Sequence, residues 1–295
     1  MFKVRFEGDG EYEAAGHEQM LLAASRALDI PHVSVCGGKG RCSTCRVIVL
    51  EGAEHVPPRG EVEATLARAK GLADDVRLAC QTCVTGDVLV RRLVYDDVDR
   101  RLLSNERMAP REVEIAILFS DIRGFTTFSE KQLPYDVVHI LNRYFLAMGG
   151  AIQEHGGTID KYMGDGIMAL FGIDGADPAA ACRAAVLAAR EMTRRLATEN
   201  EHLEAQFDTH FEIGVGIHAG VVVVGEMGHP EKMEFTAIGD AVNVASRVET
   251  ATKEAGVPIL VSEAVRAHVP DLIAQAGAFD AHLKGRAGTV RLFPG

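Results

Sequence analysis

The first ninety residues alternate short apolar runs with glycine and proline breaks, which predicts a small domain of strands and short helices. A Gly-Asp-Gly turn separates the first two runs, as in a hairpin. In chain order, the pattern predicts strands at 2–6 and 11–15, a helix at 19–28, a strand at 46–50, a helix at 61–70 and a strand at 88–94.

After residue 110 the apolar runs are longer and switch between strand and helix periods. Asp177 and Asp240 are expected to cap two of the helices. Because strands and helices do not alternate strictly, the predicted fold class is α+β. The predicted elements are strands at 115–119, 158–162 and 167–171, helices at 137–152 and 178–196, a pair of strands at 211–217 and 221–224, and a helix from Asp240.

Residues 95–110 are charged, carry Asp96-Asp97 and Arg100-Arg101, and close on Pro110. This composition indicates a boundary between two domains, at 1–94 and 111–295. The segment between them is either a linker or a short signalling helix, and the pattern does not distinguish the two.

The chain of 295 residues is 47% hydrophobic and 25% charged, which is typical of globular domains. Its net charge of −11 disfavours nucleic acid or an anionic membrane as the main partner. No apolar run approaches the ~18 residues of a membrane helix, and the first residues lack a secretory signal. We therefore expect a cytoplasmic protein, in which clustered cysteines bind metal or do redox chemistry.

Five of the six cysteines fall in the pattern Cys36-x5-Cys42-x2-Cys45, followed by Cys80 and Cys83. Glycines between the first two let the backbone wrap closely around an iron–sulfur cluster held by thiolates. The two CxxC pairs also have the spacing of a zinc site, although that interpretation leaves Cys36 without a role. Buried free thiols are the third interpretation.

The string Cys36-Gly-Gly-Lys-Gly-Arg-Cys-Ser-Thr-Cys-Arg46, with the later Leu78-Ala79-Cys80-Gln81, resembles the [2Fe–2S] ferredoxins of the adrenodoxin-like and bacterial regulatory kind. The resemblance covers about residues 1–94. It implies a β-grasp fold, a redox partner protein, and a [2Fe–2S] cluster held by Cys36, Cys42, Cys45 and Cys80. Cys83 is then a spare thiol near the cluster, and Cys182 is expected in the core.

Asp121 follows a hydrophobic strand, and Asp165 lies in a tight Gly-Asp-Gly turn between two other strands. Two carboxylates at neighbouring strand ends can hold a pair of Mg²⁺ or Mn²⁺ ions against a triphosphate. Taken singly, each aspartate fits a cap or a turn better than a metal site, and only the combination favours metal. The turn after Asp121 can offer backbone N–H groups to phosphate oxygens; its residues are Ile122, Arg123, Gly124, Phe125 and Thr126.

The segments Phe119–Thr126, Asp160–Gly166 and Ile238–Arg247 together resemble the class III adenylyl cyclases, over about residues 112–295. The resemblance implies a mixed sheet flanked by helices and conversion of ATP to cyclic AMP and pyrophosphate. It also implies that Asp121, Asp165 and the Ile122 carbonyl are metal ligands.

The same resemblance assigns the remaining site residues. Asn243 and Arg247, one turn apart on a helix face, match the pair that orients the ribose and stabilises the transferring phosphate. Lys284 matches the lysine that contacts the terminal phosphates. Lys161 and Thr236 match the pair that binds adenine, although Thr236 departs from the aspartate of the animal enzymes.

In this family the metal aspartates and the Asn/Arg helix of one site come from different catalytic domains. One such domain per chain therefore implies a homodimer with two equivalent sites. Two roles are expected for the cluster: redox control of the cyclase through residues 95–110, or a structural staple. The alternatives are an electron-transfer protein with a nucleotide-sensing domain, and a guanylyl cyclase, against which Lys161 argues.

Overall fold

The computed structural model describes residues 1–94, 110–229, 232–283 and 288–295. It divides into two compact units, Met1–Arg111 and Glu112–Gly295. The predicted linker at 95–110 lies outside the described residues except for Pro110.

The first unit is a mixed sheet with short helices. Its elements are β1 Phe2–Phe6, β2 Gly10–Ala14, β3 Gln19–Met20, α1 Leu21–Ala27, β4 Arg46–Glu51, a 3-10 turn Ala53–His55, α2 Glu61–Lys70, β5 Val76–Leu78, β6 Cys83–Val84 and β7 Val88–Arg92. Five strands pair in the order β2-β1-β7-β4-β5, while β3 and β6 pair separately. Strands β1 and β7 are parallel, and the other neighbours are antiparallel.

The core of this unit lies between the sheet and α1. Leu21 and Leu22 of α1 are buried against Val4, Phe6 and Val47 of the sheet. The sequence pattern did not predict the short strands β5 and β6, which flank Cys80. Two- and three-residue strands carry too few positions for a period to be recognised.

The second unit is a larger mixed sheet with helices on both faces. Its elements are β8 Arg111–Ile122, α3 Phe125–Ser129, α4 Pro134–Glu154, β9 Thr158–Met163, β10 Gly166–Phe171, α5 Pro178–Phe207, β11 Ile213–His229, β12 Lys232–Ile238, α6 Asp240–Ala255, β13 Ile259–Ser262, α7 Glu263–His268, β14 Phe279–Ala281 and β15 Val290–Pro294. The strand order is β14-β15-β13-β11-β8-β10-β9, with β12 on β11. Among the helices that the structure describes, none is long and apolar enough to cross a membrane.

Strand β8 is buried on both faces, as expected for a central strand. Ala116 and Leu118 pack with α4, α5 and α7, whereas Ile117 and Phe119 pack with α6. By the same alternation, Asp121 points to the side of the sheet that α6 covers. The predicted α+β fold class is confirmed.

The predicted pair of strands at 211–217 and 221–224 is wrong, because both segments belong to the single strand β11. The hairpin partner of β11 is β12. Gly220 lies within the strand, where a Cβ would come 3.0 Å from the Cβ of Ala241 on α6. A Cβ at Gly216 would come 2.0 Å from the α6 backbone. These glycines therefore allow α6 to pack closely on the strand and do not mark a turn.

The predicted cap at Asp240 is also wrong, because Gly239 occupies the N-cap position and Asp240 is the first helical residue. Asp177 does occupy the N-cap position of α5, although its side chain makes no capping hydrogen bond. Helix α5 continues past the predicted end near residue 196, since Leu203 is still buried against the core.

Candidate active site and cysteine site

Two aspartates meet where β8 ends. Asp121 is the penultimate residue of β8, and Asp165 lies in the turn between β9 and β10. The antiparallel register places Ile167 of β10 opposite Ser120, which brings that turn beside Asp121. The Ile122 N–H donates to Asp165 Oδ2 over 3.2 Å. The two predicted metal ligands therefore lie side by side within one chain.

Negative charge is crowded at this strand end. Burial, followed by the charge of Asp165 and a hydrogen bond to it, raises the pKa of Asp121 to about 6. Burial and the charge of Asp121 raise the pKa of a third carboxyl, that of Glu249 on α6, to about 7. Since a nearby cation would reverse these shifts, the arrangement favours a bound cation. Glu249 was not predicted, because the aspartates that it faces lie in distant segments of the chain and no local pattern marks it.

Within the described residues, no three His, Cys, Asp or Glu side chains are spaced to hold one metal ion. A cation at this strand end would therefore take the Asp121 and Asp165 carboxylates and the Ile122 carbonyl. Water or substrate phosphate would complete its coordination. Mg²⁺ is usually held in this way, by one or two carboxylates together with substrate phosphates.

The turn after Asp121 is partly engaged within the chain. The Arg123 N–H donates to the Glu212 carbonyl over 2.8 Å, and the Ile122 N–H is taken by Asp165. The Arg123 guanidinium donates to the carbonyls of Thr252 and Val257, over 3.2 and 2.7 Å. Arg123 thus anchors the end of α6.

Three N–H groups of that turn remain for a ligand. Gly124 adopts a left-handed φ of 70° and precedes the first residue of α3. The first N–H groups of a helix have no acceptor within the helix. The N–H groups of Gly124, Phe125 and Thr126 are therefore the ones that can bind a phosphate.

Lys161 and Thr236 come together through a third residue, Asp160. Lys161 Nζ lies 3.3 Å from Asp160 Oδ2, and the Thr236 hydroxyl donates to the same oxygen over 3.0 Å. The pairing of β9 with β10 shifts register between Met168 and Ala169. Such a bulge lets the adjacent residues Asp160 and Lys161 point toward one region. The structure thus places the predicted adenine-binding pair side by side.

Asn243 and Arg247 lie one turn apart on the outer side of α6, while the opposite side, with Ala241 and Ala245, is buried. At about 100° per residue, Arg247 is roughly 160° around the helix from Glu249. In one chain this pair therefore faces away from the two aspartates. Lys284 lies outside the described residues.

The four cysteines predicted as cluster ligands form two adjacent pairs. Cys36 is hydrogen-bonded to Cys42, and Cys45 is hydrogen-bonded to Cys80. The charge of Cys42 also acts on Cys45, so the pairs are neighbours. Two pairs of thiolates fit the two irons of a [2Fe–2S] cluster.

Backbone N–H groups of the glycine-rich loop point at the Cys36 sulfur. Burial opposes ionisation of this thiol, but hydrogen bonds from the N–H groups of Arg41, Gly38 and Lys39 and from Cys42 lower its pKa. Gly38 adopts a φ of 90°, which a residue with a Cβ rarely adopts. The loop is therefore shaped to stabilise charged sulfur.

Gln81 connects this loop to the segment that carries Cys80. Its Nε2 donates to the Gly38 carbonyl over 3.2 Å and lies 3.6 Å from Cys80 Sγ. The hydrogen bond from Cys45 lowers the pKa of Cys80 to about 6 against the effect of burial, with Gln81 contributing. Burial and the charge of Glu18 raise the pKa of Cys83, which suits an unreactive spare thiol.

A buried ion pair holds the Cys80 segment from the other side. Arg77 Nε and Nη2 donate to the two carboxylate oxygens of Glu63 on α2, over 3.0 and 2.7 Å. The side chains are 6% and 1% exposed. Glu63 Oε1 also accepts the Leu78 N–H over 2.7 Å. This pair was not predicted, because its two residues are 14 positions apart and nothing local distinguishes Glu63 from the exposed Glu61 in the same helix turn.

Cys182 lies in the core of the second unit, as predicted. Burial, followed by the charge of Glu114, raises the pKa of its thiol to about 12. A thiol with so high a pKa is unreactive near neutral pH. Cys182 therefore has a packing role.

Residues 108–289 match the adenylate and guanylate cyclase catalytic domain, and residues 5–85 match the 2Fe-2S iron-sulfur cluster binding domain. The first match covers more than half of the chain, which therefore belongs to the class III nucleotide cyclase family. A [2Fe–2S] ferredoxin-type domain precedes its catalytic domain. Both predicted resemblances are confirmed.

Among relatives, an adenylate cyclase from Anabaena cylindrica is 44% identical over 155 residues, 51% of this chain and 30% of that protein. The crystal structure of the guanylyl cyclase Cya2 has 34% identity and a TM-score of 0.59, covering 63% of this chain and 93% of that one. The adenylyl cyclase CyaB from P. aeruginosa has 31% identity and a TM-score of 0.58, with coverage of 63% and 95%. The match thus spans less than a third of the Anabaena protein.

Proposed function

We propose that this chain converts ATP to 3′,5′-cyclic AMP and pyrophosphate at sites completed by a homodimer. The Asp121–Asp165 pair carries the proposal, because two carboxylates side by side at a strand end suit metal-assisted phosphoryl transfer. Similar proteins named adenylate cyclase support ATP as the substrate.

The donor set fits two Mg²⁺ or Mn²⁺ ions, held by the Asp121 and Asp165 carboxylates and the Ile122 carbonyl. Bound there, such ions would lower the pKa of the ribose 3′-hydroxyl and neutralise charge on the phosphates.

In the proposed reaction the ribose 3′-oxygen bonds to the α-phosphorus, the bond to the β-phosphate oxygen breaks, and the hydroxyl proton passes to solvent. The N–H groups of Gly124, Phe125 and Thr126 hold phosphate oxygens. Asn243 orients the ribose, and Arg247 stabilises charge on the transferring phosphate. Lys284 contacts the terminal phosphates. Removing one such preorganised donor typically lowers the rate by ~10²–10³-fold.

The base is held by Lys161 and Thr236. Lys161 donates to a ring nitrogen of adenine, and the Thr236 oxygen accepts a hydrogen from the amino group. Guanine presents the opposite polarity at both positions, which disfavours GTP. Guanylyl cyclase activity is the alternative, and the similarity to Cya2 is the observation that favours it.

Two features of a single chain support the dimer. The Asn243–Arg247 pair faces away from the aspartates, so a second chain must supply it to complete a site. In addition, α4 and the end of β9 expose large apolar side chains, with Tyr135 at 90% and Leu146 at 80% exposure. Soluble proteins rarely leave such a patch uncovered. Its other members are Val138, Tyr162 and Met163.

We expect Mn²⁺ to stabilise the protein in a pH-dependent way. The pKa of Asp121 is about 6 in the folded chain and about 4 in the unfolded chain. The metal-free fold therefore loses stability as pH rises from about 4 through 6 and Asp121 becomes charged. Metal needs that charged form. The rise in melting temperature on adding Mn²⁺ should therefore be small at pH 5 and large at pH 7.5. In Asp121→Asn the rise at pH 7.5 should be smaller; an unchanged profile would contradict the assignment.

We further propose that a [2Fe–2S] cluster held by Cys36, Cys42, Cys45 and Cys80 regulates the cyclase. Bound there, the cluster would take up and return one electron from a redox partner protein. Plant-type clusters lie near about −400 mV, so the oxidised state dominates in the cytosol unless a reductase acts.

One assay tests the function and its regulation. Protein purified without oxygen is given ATP or GTP with Mn²⁺, air-oxidised or reduced with dithionite, while its visible spectrum is recorded. We expect cyclic AMP in excess of cyclic GMP, and a rate that changes as the spectrum bleaches. Equal rates in both states would remove the redox regulation and leave the enzyme. Nucleotide binding without any cyclic product would favour the electron-transfer protein with a nucleotide sensor.

A further inference from the structure

The adenine-binding pair rests on a buried carboxylate that the sequence motifs do not assign. The Asp160 side chain is 1% exposed, whereas that of Lys161 is 36% exposed. Asp160 Oδ2 accepts a hydrogen bond from the Thr236 hydroxyl and pairs with Lys161 Nζ. Among the described residues, its other oxygen is buried without a hydrogen-bond partner.

This contact decides the polarity of Thr236. A hydroxyl has one hydrogen and can be a donor or an acceptor, whereas a carboxylate can only accept. The hydrogen of Thr236 is therefore committed to Asp160 Oδ2. What remains for a ligand is the oxygen lone pairs, so Thr236 is an acceptor.

The same carboxylate fixes Lys161 as the donor beside it. An ammonium group has three hydrogens and no lone pair, and the contact with Asp160 occupies one hydrogen. The half-buried, flexible lysine side chain is thereby held in one direction by the opposite charge of the buried Asp160 carboxylate. The site then presents one donor and one acceptor of fixed polarity.

We infer that Asp160 is a positioning residue that selects adenine over guanine through Lys161 and Thr236, an inference that rests on the proposed function. Adenine offers an acceptor nitrogen next to a donor amino group, which matches the pair. Guanine offers a donor next to an acceptor oxygen and is mismatched at both. Without Asp160 the hydroxyl can turn and donate to that oxygen.

A purely structural role explains the residue less well. A buried carboxylate oxygen without a partner costs stability, and an apolar side chain would avoid that cost. The bulge in β9 that brings Asp160 beside Lys161 is also a local departure from regular pairing, of the kind found next to active sites.

The test is the ratio of kcat/KM for ATP to that for GTP. In Asp160→Ala we expect this ratio to fall at least ~10-fold. Lys161 and Thr236 each lose the contact with the Asp160 carboxylate that fixes their polarity toward the base. In Asp160→Asn the ratio should fall less, since the amide oxygen can still accept the Thr236 hydrogen.

In a Thr236→Val background, Asp160→Ala should change the ratio less than it does in the parent chain. Asp271→Ala, at a side chain 57% exposed, should leave the ratio unchanged.

Dissociation constants for ATP and GTP, measured with Ca²⁺ by calorimetry, give a second ratio that needs no turnover. If the parent chain binds ATP better than GTP but forms no cyclic product, the proposed function fails while the inference is still tested. An unchanged ratio in folded Asp160→Ala and Asp160→Asn overturns the inference. The inference is also overturned if Asp160→Ala changes the ratio equally in the parent chain and in the Thr236→Val background. A general structural role for Asp160 would not depend on Thr236.

Discussion

Asp121→Ala is expected to lower the rate of cyclic AMP formation by at least about 10²-fold, because it removes a carboxylate that the proposed metal pair requires. The fold should survive the change. Burial and the charge of Asp165 raise the pKa of Asp121, so the charged form of Asp121 destabilises the metal-free fold. Steady-state rates with ATP and Mn²⁺, compared with melting curves, measure both effects.

Asp174→Ala is the matched control, at an exposed aspartate in the loop after β10 whose carboxylate accepts the Ala176 N–H. It should leave the rate close to that of the parent chain. A rate within a few-fold of the parent in Asp121→Ala would show that this carboxylate does not hold a catalytic metal.

Mixing inactive chains tests whether a site takes its residues from two copies. Asp121→Ala and Asn243→Ala chains should each be inactive alone. In a heterodimer one site collects both defects and the other collects none. Random exchange makes half of the dimers mixed, so about a quarter of the parent activity should return. Differently tagged chains establish that heterodimers have formed; their presence without recovered activity would place each whole site within one chain.

The second large effect concerns the cysteine site. Glu63→Ala is expected to destabilise the ferredoxin domain by about 3–5 kcal/mol, because it leaves the Arg77 guanidinium buried without its partner. It also removes the acceptor of the Leu78 N–H, two residues before Cys80. We therefore expect a lower melting temperature and incomplete iron loading.

Glu61→Ala is the control, because Glu61 lies in the same first turn of α2 and is exposed. Iron per chain, visible absorbance and melting curves should be close to those of the parent in Glu61→Ala and impaired in Glu63→Ala. Glu63→Gln should fall between them, since its amide keeps one acceptor oxygen. Full cluster loading and an unchanged melting temperature in Glu63→Ala would mean that Arg77 finds other partners.

Much of this protein could be predicted from local patterns. The spacing of Cys36, Cys42 and Cys45 indicated the cluster loop, since ligands on one short loop are constrained by chain length alone. The motifs around Asp121, Asp165 and Asn243 indicated the family, because each lies within a few residues of its own chain segment. Long helices and the apolar strands β8 and β10 followed from their periods.

Where prediction failed, the deciding contacts join distant parts of the chain. Gly216 and Gly220 lie inside one long strand, where the absence of a Cβ lets α6 pack closely. The alternation of apolar and polar residues along the strand cannot show this, because the contact is with a helix elsewhere in the chain. The Arg123 N–H was expected to be free for phosphate, yet it donates to the Glu212 carbonyl, and the Arg123 side chain binds carbonyls of Thr252 and Val257 more than a hundred residues away.

Local sequence is enough to specify the chemical groups of this protein, namely thiolates on a glycine loop, two aspartates at strand ends, and a lysine and a threonine for the base. The orientation of those groups depends on the folded structure. A bulge in β9 joins Asp160 to Lys161 and Thr236, and packing of α6 puts Glu249 at the aspartates while turning Arg247 away. Such orientations depend on which elements pack together. Packing joins apolar surfaces from distant parts of the sequence, and these surfaces come into contact only when the chain folds.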